Sequence, residues 1–309
     1  MNLFSSDKCL SCPRKCDVNR SSNQVGYCKC NNKPLVSKIF LHKGEEPVIS
    51  GRKGICNVFF AHCNLQCVYC QNYQISDNDT YDKSWLTDFD MIVNEITEQL
   101  DGGVKMLGFV SPSHQVDQMI QIIENIWTRG YKPTIVYNSN GYDDVETLKE
   151  LENIVDVYLP DFKYYDSKLG QRFSNVSNYF EVASKAIKEM YRQKGSTIIL
   201  DNEGLIESGV IVRHLVLPGC ESDSIDVLEY IANEISPFLH ISLMAQYFPT
   251  EKSKSDPLLC RKLRKSEYDL VVKKMEELGF KGWVQELESS DYYKPDFLSN
   301  TPFRDAIND

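Results

Sequence analysis

What most constrains the fold of this chain is a repeated switch of hydrophobic period between Ile55 and Gly279. Short apolar runs alternate with longer stretches whose apolar residues recur at helical spacing. Val58–Phe60, Val104–Val110, Thr134–Tyr137, Val155–Leu159, Val210–Leu217 and Ile241–Phe248 read as strands. Asp90–Leu100, Val116–Trp127, Val145–Leu151, Tyr179–Tyr191, Ser224–Ile235 and Ser266–Leu278 read as helices. Gly279 is a fitting end for the last of these. Six strand–helix units in one run predict an α/β fold around a parallel sheet. A partial barrel and a doubly wound sheet fit that pattern equally well. No glycine-rich phosphate loop follows any strand, so the usual nucleotide-binding signatures are missing. Residues 1–54 differ: they are polar and loop-like, with apolar stretches only at Leu35–Phe40 and Val48–Ile49.

Composition narrows the function classes. The 34 basic and 44 acidic residues leave a formal net charge of −10, which argues against a nucleic-acid partner held by a general electrostatic field. No apolar run has the length of a membrane span, and Met1 to Lys8 has no apolar leader core. A cytoplasmic location is therefore expected, with no membrane association. The anomaly is 11 cysteines. Cys9, Cys12, Cys16, Cys28 and Cys30 crowd the start, and Cys56, Cys63, Cys67 and Cys70 follow closely. Cys220 and Cys260 stand apart. Clustered thiols in a reducing compartment point to metal rather than disulfides.

In parallel α/β folds, sites form at the C-terminal ends of strands. Here those ends carry Ala61–Cys70, Ser111–His114, Asn138–Gly141, Pro160–Lys163, the Arg213–His214 pair, and Gln246–Tyr247. Thiols, hydroxyls, amides, a carboxylate and cations would thus share one rim. The sharpest signal is Cys63-x3-Cys67-x2-Cys70. Three thiolates in a loop just past a strand can reach three corners of an iron–sulfur cube and leave one iron open for chemistry. The same spacing would also align three buried cysteines on a helix face.

With Tyr69 just before the last cysteine, this motif resembles the radical S-adenosylmethionine enzymes. More closely, the chain is similar to homologues of pyruvate formate-lyase activating enzyme. The resemblance runs along most of the chain. It includes Cys12-Pro-Arg-x-Cys16, Asn64, Gln71-Asn-Tyr73, Val110-Ser-Pro-Ser-His114 and Ile135 to Tyr142. It continues through Val157 to Tyr164, Glu189 to Gln193, Val212 to Gly219 and Leu243 to Tyr247. It implies a partial (β/α)6 barrel over 55–288, a cysteine-rich metal-binding extension over 1–54 and a tail over 289–309 packed on the barrel. It also implies a [4Fe-4S] cluster on Cys63, Cys67 and Cys70, with S-adenosylmethionine (AdoMet) on the unique iron. Reductive cleavage of AdoMet would give a 5′-deoxyadenosyl radical that abstracts hydrogen from substrate.

The same resemblance assigns cofactor contacts. Tyr69 would pack near the adenine. Ser111, Ser113 and His114 replace a Gly-Gly-Glu-Pro-like segment that meets the cofactor's amino group. Asn138 and Ser139 replace an Asp-Thr pair that helps hold a monovalent cation. Asp161 would bind a cation or ribose, Lys163 would neutralise a carboxylate, and His214 would lie near the cofactor. Read from residues alone, Asp161 and Lys163 also make a local ion pair, and Arg213 a solvated strand residue. Alternation lets only one of Arg213 and His214 point inward.

Cys9, Cys12, Cys16 and Cys28 supply four further ligands, enough for a second iron–sulfur cluster or a zinc ion. Lys252, Lys254, Arg261, Lys262, Arg264 and Lys265 form a basic run, read as the solvated start of a helix. Three functions remain open on the sequence: activation of a glycyl-radical protein, direct radical modification of a small molecule or peptide, and a non-catalytic iron–sulfur electron carrier. The two enzymatic readings require an electron donor such as flavodoxin or ferredoxin.

Overall fold

The structure is a computed structural model that describes residues 7–299 and 301–303. The first six residues of the leader region and the end of the tail lie outside the described residues. Nine strands form one sheet: β1 Val36–His42, β2 Ile55–Phe60, β3 Met106–Val110, β4 Thr134–Ser139, β5 Val157–Pro160, β6 Ile199–Leu200, β7 Ile206–Leu215, β8 His240–Met244 and β9 Lys281–Val284. The helices are α1 Pro47–Ser50, α2 Tyr73–Ser76, α3 Phe89–Asp101, α4 Val116–Thr128, α5 Val145–Glu150, α6 Ser167–Ser174, α7 Tyr179–Lys194, α8 Glu221–Glu234, α9 Lys265–Glu277 and α10 Ser289–Tyr292.

The strand order is β1-β2-β3-β4-β5-β7-β8-β9, with β6 paired only to β7. Along that order every pairing from β2 to β9 is parallel, while β1 lies antiparallel on β2 and β6 antiparallel on β7. The order never reverses, which removes the doubly wound alternative, since that fold has a switch point where strand order turns back. β1 and β9 do not pair, so the wrapped sheet stays open: it is a partial barrel. All six sequence-read strand–helix units are present. β1, β6 and β9 and the helices α1, α2, α6 and α10 are additional. The 1–54 segment is thus not loop throughout, because β1 adds a strand to the barrel edge.

Alternation along the strands sorts side chains into two layers. Outward residues such as Val58, Phe60, Leu107 and Phe109 join the helices in one large core. Inward residues Ile55, Met106, Val136, Val157, Leu159 and Ile211 form a second, smaller core with Ile49 of α1. The 45–50 segment thus plugs the barrel bottom. A third apolar group joins Phe59 and Trp85 to the tail residue Phe297, with Phe303 packed beside them. Among the described residues no helix is long and apolar enough to cross a membrane.

Candidate active site

Above the apolar plug lies a cavity of about 610 Å³. Cys63, Cys67, Cys70, Tyr69, Ser111, Asn138, Ser139, Asn140, Asp161 and Lys163 line it from the strand ends. Glu45, Glu46 and Arg213 face it from the plug side, and Tyr293 and Phe303 of the tail close part of its wall.

The thiol loop begins at a backbone reversal. β2 ends at Phe60, and His62 has φ 66°, an uncommon conformation for an L-residue. Asn78 holds the turn, accepting from the Cys63 N–H at 3.0 Å and donating to the Cys63 carbonyl at 3.1 Å. The Leu65 N–H and the Asn140 amide each donate to Cys63 Sγ at 3.3 Å. Cys67 Sγ lies 2.9 Å from Ser174 Oγ, and Cys70 Sγ lies 3.1 Å from Ser76 Oγ. Beyond Cys70, the Gln71 amide donates to the Gln246 carbonyl at 2.6 Å, and Gln285 donates to the Gln246 side chain at 3.0 Å. This amide chain fastens the loop to the end of β8.

Burial pushes the Cys63 thiol up to about 12 and the Cys67 thiol up to about 11. Without metal these are therefore neutral thiols, and a metal that takes them must displace protons. Among the described residues no three His, Cys, Asp or Glu side chains converge tightly enough to hold a single ion. The donor set instead fits a polynuclear cluster, whose thiolates bind separate irons and need not meet at one point.

Lys163 Nζ lies 2.5 Å from Asp161 Oδ2 at the rim. Burial works against the Lys163 charge, but Asp161 and the nearby thiols more than offset it and raise its pKa. Lys163 therefore stays cationic. Gly141 is demanded by this rim: it has φ 77°, and a Cβ there would stand 2.0 Å from the Asp161 carbonyl. Tyr69 is buried, and its phenol accepts from Tyr164 at 2.6 Å.

The floor is a charged triad that the sequence reading missed. Arg213 grips Glu46 through Nε at 2.8 Å and Nη2 at 2.5 Å, and its Nη2 also reaches Glu45. Asn57 donates to Glu45 at 2.8 Å. Gly108 leaves room for Asn57, whose Oδ1 lies 2.1 Å from where a Cβ would be. Burial alone would raise the Glu45 carboxyl, yet Arg213 dominates the net balance and holds it down at about 2. The only signal in the sequence was two adjacent carboxylates before Pro47, in a segment read as loop.

Three of the anticipated cofactor contacts do not line the cavity. Arg213, not His214, is the inward member of its pair. His214 is buried toward the helices, where its Nδ1 donates to the Phe162 carbonyl at 2.6 Å. Burial lowers its pKa to about 4, so it is neutral. Ser111 has φ 53°, and the 3-10 turn Pro112–His114 after it carries Ser113 and His114 away from the cavity. His114 bonds the Ala61 carbonyl at 3.0 Å. The basic run is largely paired within the fold: Lys252 to Asp77, Arg261 to Glu267, Lys262 to Asp291 and Lys265 to Asp269. Lys265 opens α9, as the solvated reading expects.

Residues 57–203, from β2 to just past β6, match the model of the Radical SAM superfamily. A protein of Methanocaldococcus jannaschii named uncharacterized protein MJ0674 is 29% identical over 282 residues, spanning 89% of this chain and 76% of that one. The solved structure of native anSMEcpe with bound AdoMet aligns at TM-score 0.48 and 15% identity, over 70% of this chain and 57% of that chain. This chain therefore spans less than two thirds of that structure's length. A domain of pyruvate-formate lyase-activating enzyme from Bacteroides vulgatus aligns at TM-score 0.39 and 16% identity, over 54% of this chain and 89% of the domain.

Proposed function

We propose that this chain is a radical enzyme that binds AdoMet in the 610 Å³ cavity and uses it to abstract hydrogen from a substrate held there. The observation that carries this reading is the meeting of Cys63, Cys67 and Cys70 with the Asp161–Lys163 pair in one cavity, in a chain whose residues 57–203 match the Radical SAM superfamily. A cluster held by these thiols would supply the single electron that cleaves the AdoMet sulfonium to methionine and a 5′-deoxyadenosyl radical.

The chain's own residues do the rest. Cys63, Cys67 and Cys70 would hold a [4Fe-4S] cluster with one iron left for the cofactor. Lys163 presents a cation for the cofactor's carboxylate, and Asp161 fixes that cation in place or turns to a ribose or a monovalent ion. Tyr69 supplies an apolar ring at the cavity wall for the adenine. Ser111, Asn138 and Ser139 offer hydroxyl and amide groups at the rim. The floor triad and the tail keep water out, which protects a radical from quenching.

The substrate is a small molecule or a peptide end. The closed floor and the tail residues Tyr293 and Phe303 in the wall favour this over the loop of a folded glycyl-radical protein, which needs a broad mouth. A flavodoxin or ferredoxin supplies the electron. The test is anaerobic: reconstituted, dithionite-reduced protein is mixed with AdoMet. Formation of 5′-deoxyadenosine and methionine supports the reading. An intact reduced cluster that yields neither refutes it and leaves the electron-carrier function.

A further inference from the structure

Five thiols lie outside the cavity in residues 7–33, and the reading above does not use them. This segment has no strand and no α-helix, only the 3-10 turn Arg20–Ser22. Its buried residues are Cys9, Ser11, Cys12, Arg20, Cys28 and Cys30. It buries no aliphatic or aromatic side chain of its own, so the hydrophobic effect gives it little reason to hold one shape. Yet its backbone is sharply specified. Lys15, Asp17 and Lys29, which flank Cys16 and Cys28, all have positive φ. Such conformations cost about 1 kcal/mol or more each for ordinary residues and persist only where the surroundings enforce them.

The turns point backbone N–H groups at sulfur. The Tyr27 N–H donates to Cys16 Sγ at 3.4 Å, and the Arg14 N–H bonds the Cys12 thiol two residues back. The cavity thiols show the same pattern, from Leu65 to Cys63 and from Asn72 to Cys70. Backbone bonds gather the four: the Cys9 N–H donates to the Val18 carbonyl at 3.0 Å, the Asp17 N–H to the Cys9 carbonyl at 3.1 Å and the Lys15 N–H to the Cys12 carbonyl at 3.0 Å, and Tyr27 ties the Cys28 turn to Cys16. Arg20 is 2% exposed, and its Nη2 donates to Cys28 Sγ at 3.3 Å. Its Nη1 donates to the His114 carbonyl at 3.0 Å and the buried Asp117 lies near it, and thiolates on a metal would add further anions beside this buried cation.

We propose that Cys9, Cys12, Cys16 and Cys28 are the four ligands of a second [4Fe-4S] cluster. Four thiols also suit a single zinc ion, and the metal count below separates the two. A cube takes one sulfur on each of four irons, the arrangement the cavity thiols also fit. None of the four lines the cavity. This cluster is therefore closed to substrate, and its roles are to order the extension and carry electrons. It also adjoins the cavity loop: Arg14 Nε donates to the Asn64 carbonyl at 2.9 Å, and Asn78 bridges the Tyr27 and Cys63 carbonyls. The proposal leaves out Cys30, whose thiol bonds the Cys28 side chain and its carbonyl, the latter at 3.4 Å, and lies 3.8 Å from His62 Nδ1.

The test counts iron, sulfide and zinc in anaerobically reconstituted full-length protein and in a C63A/C67A/C70A variant whose folding is checked by circular dichroism. The proposal expects about eight irons in the parent and about four in the variant, without stoichiometric zinc. About four irons with about one zinc in the parent overturns it, and so does a folded variant that holds no iron. If the variant fails to fold, the parent's count alone decides. The irons lost in the variant report on the cavity cluster and those kept report on the extension, so the two readings fail separately.

Discussion

The two thiol groups lie in segments joined by the Arg14–Asn64 bond and by Asn78, and they differ in what surrounds them. Cys63, Cys67 and Cys70 number three, face a large void, and have Ser174, Ser76 and Asn140 as polar partners. Cys9, Cys12, Cys16 and Cys28 number four, face no such void, and have the buried guanidinium of Arg20 among them. A metal site with one ligand too few and space beside it is built to admit a reactant; a saturated one surrounded by protein is not. Ligand count and free volume together separate a reaction centre from a fixed one, where the residue type is the same in both.

The largest effect expected from breaking the cavity group is on cleavage. Cys67→Ala should abolish 5′-deoxyadenosine formation and remove about half of the iron, the rest staying on the extension. Iron analysis and product chromatography on the same sample check both.

Next comes the floor, which has no counterpart in the extension. Arg213→Met leaves Glu45 and Glu46 buried without their cation and should cost about 3–5 kcal/mol in urea unfolding. The pH dependence follows. The Glu45 carboxyl is held down at about 2, below its unfolded value near 4.5. Its stabilisation is thus complete above about pH 4.5 and is lost as pH falls toward 2. Arg213→Met should remove that part of the acid sensitivity.

A smaller loss is expected at the rim. Lys163→Met should weaken AdoMet binding roughly 10- to 100-fold, the worth of a hydrogen bond to a charged group at about 1.5–3 kcal/mol. Iron content should not change. Equilibrium dialysis with labelled AdoMet measures it, and unaltered affinity removes Lys163 from the cofactor site. Smallest is Asn140→Ala, which deletes donors to Cys63 Sγ and Asn64 Oδ1. It should cost about 1 kcal/mol and lower the reduction potential of the cavity cluster, read by redox titration.

Much of this was legible in the sequence because periodicity is local. All six strand–helix units and the strand-end positions of Cys63, Ser111, Asn138 and Asp161 could be read from runs of a few residues. What stayed hidden depends on long-range pairing or on which face a residue takes. Arg213 meets Glu45 and Glu46 across 168 and 167 residues, and neither partner marks the other in sequence. Alternation allowed one of Arg213 and His214 to face inward but could not say which. A single left-handed residue, Ser111, diverts Ser113 and His114 from the rim. β1 was visible only as the short apolar stretch Leu35–Phe40 in a segment read as loop, and its role as an antiparallel edge requires β2 beside it.

The distinction between an open and a closed centre is tested most directly by electron paramagnetic resonance of the reduced protein with and without AdoMet. The account predicts that the signal missing from the C63A/C67A/C70A variant changes on adding AdoMet, while the signal remaining in that variant does not. A remaining signal that responds to AdoMet, or a cavity signal that ignores it, would contradict the account.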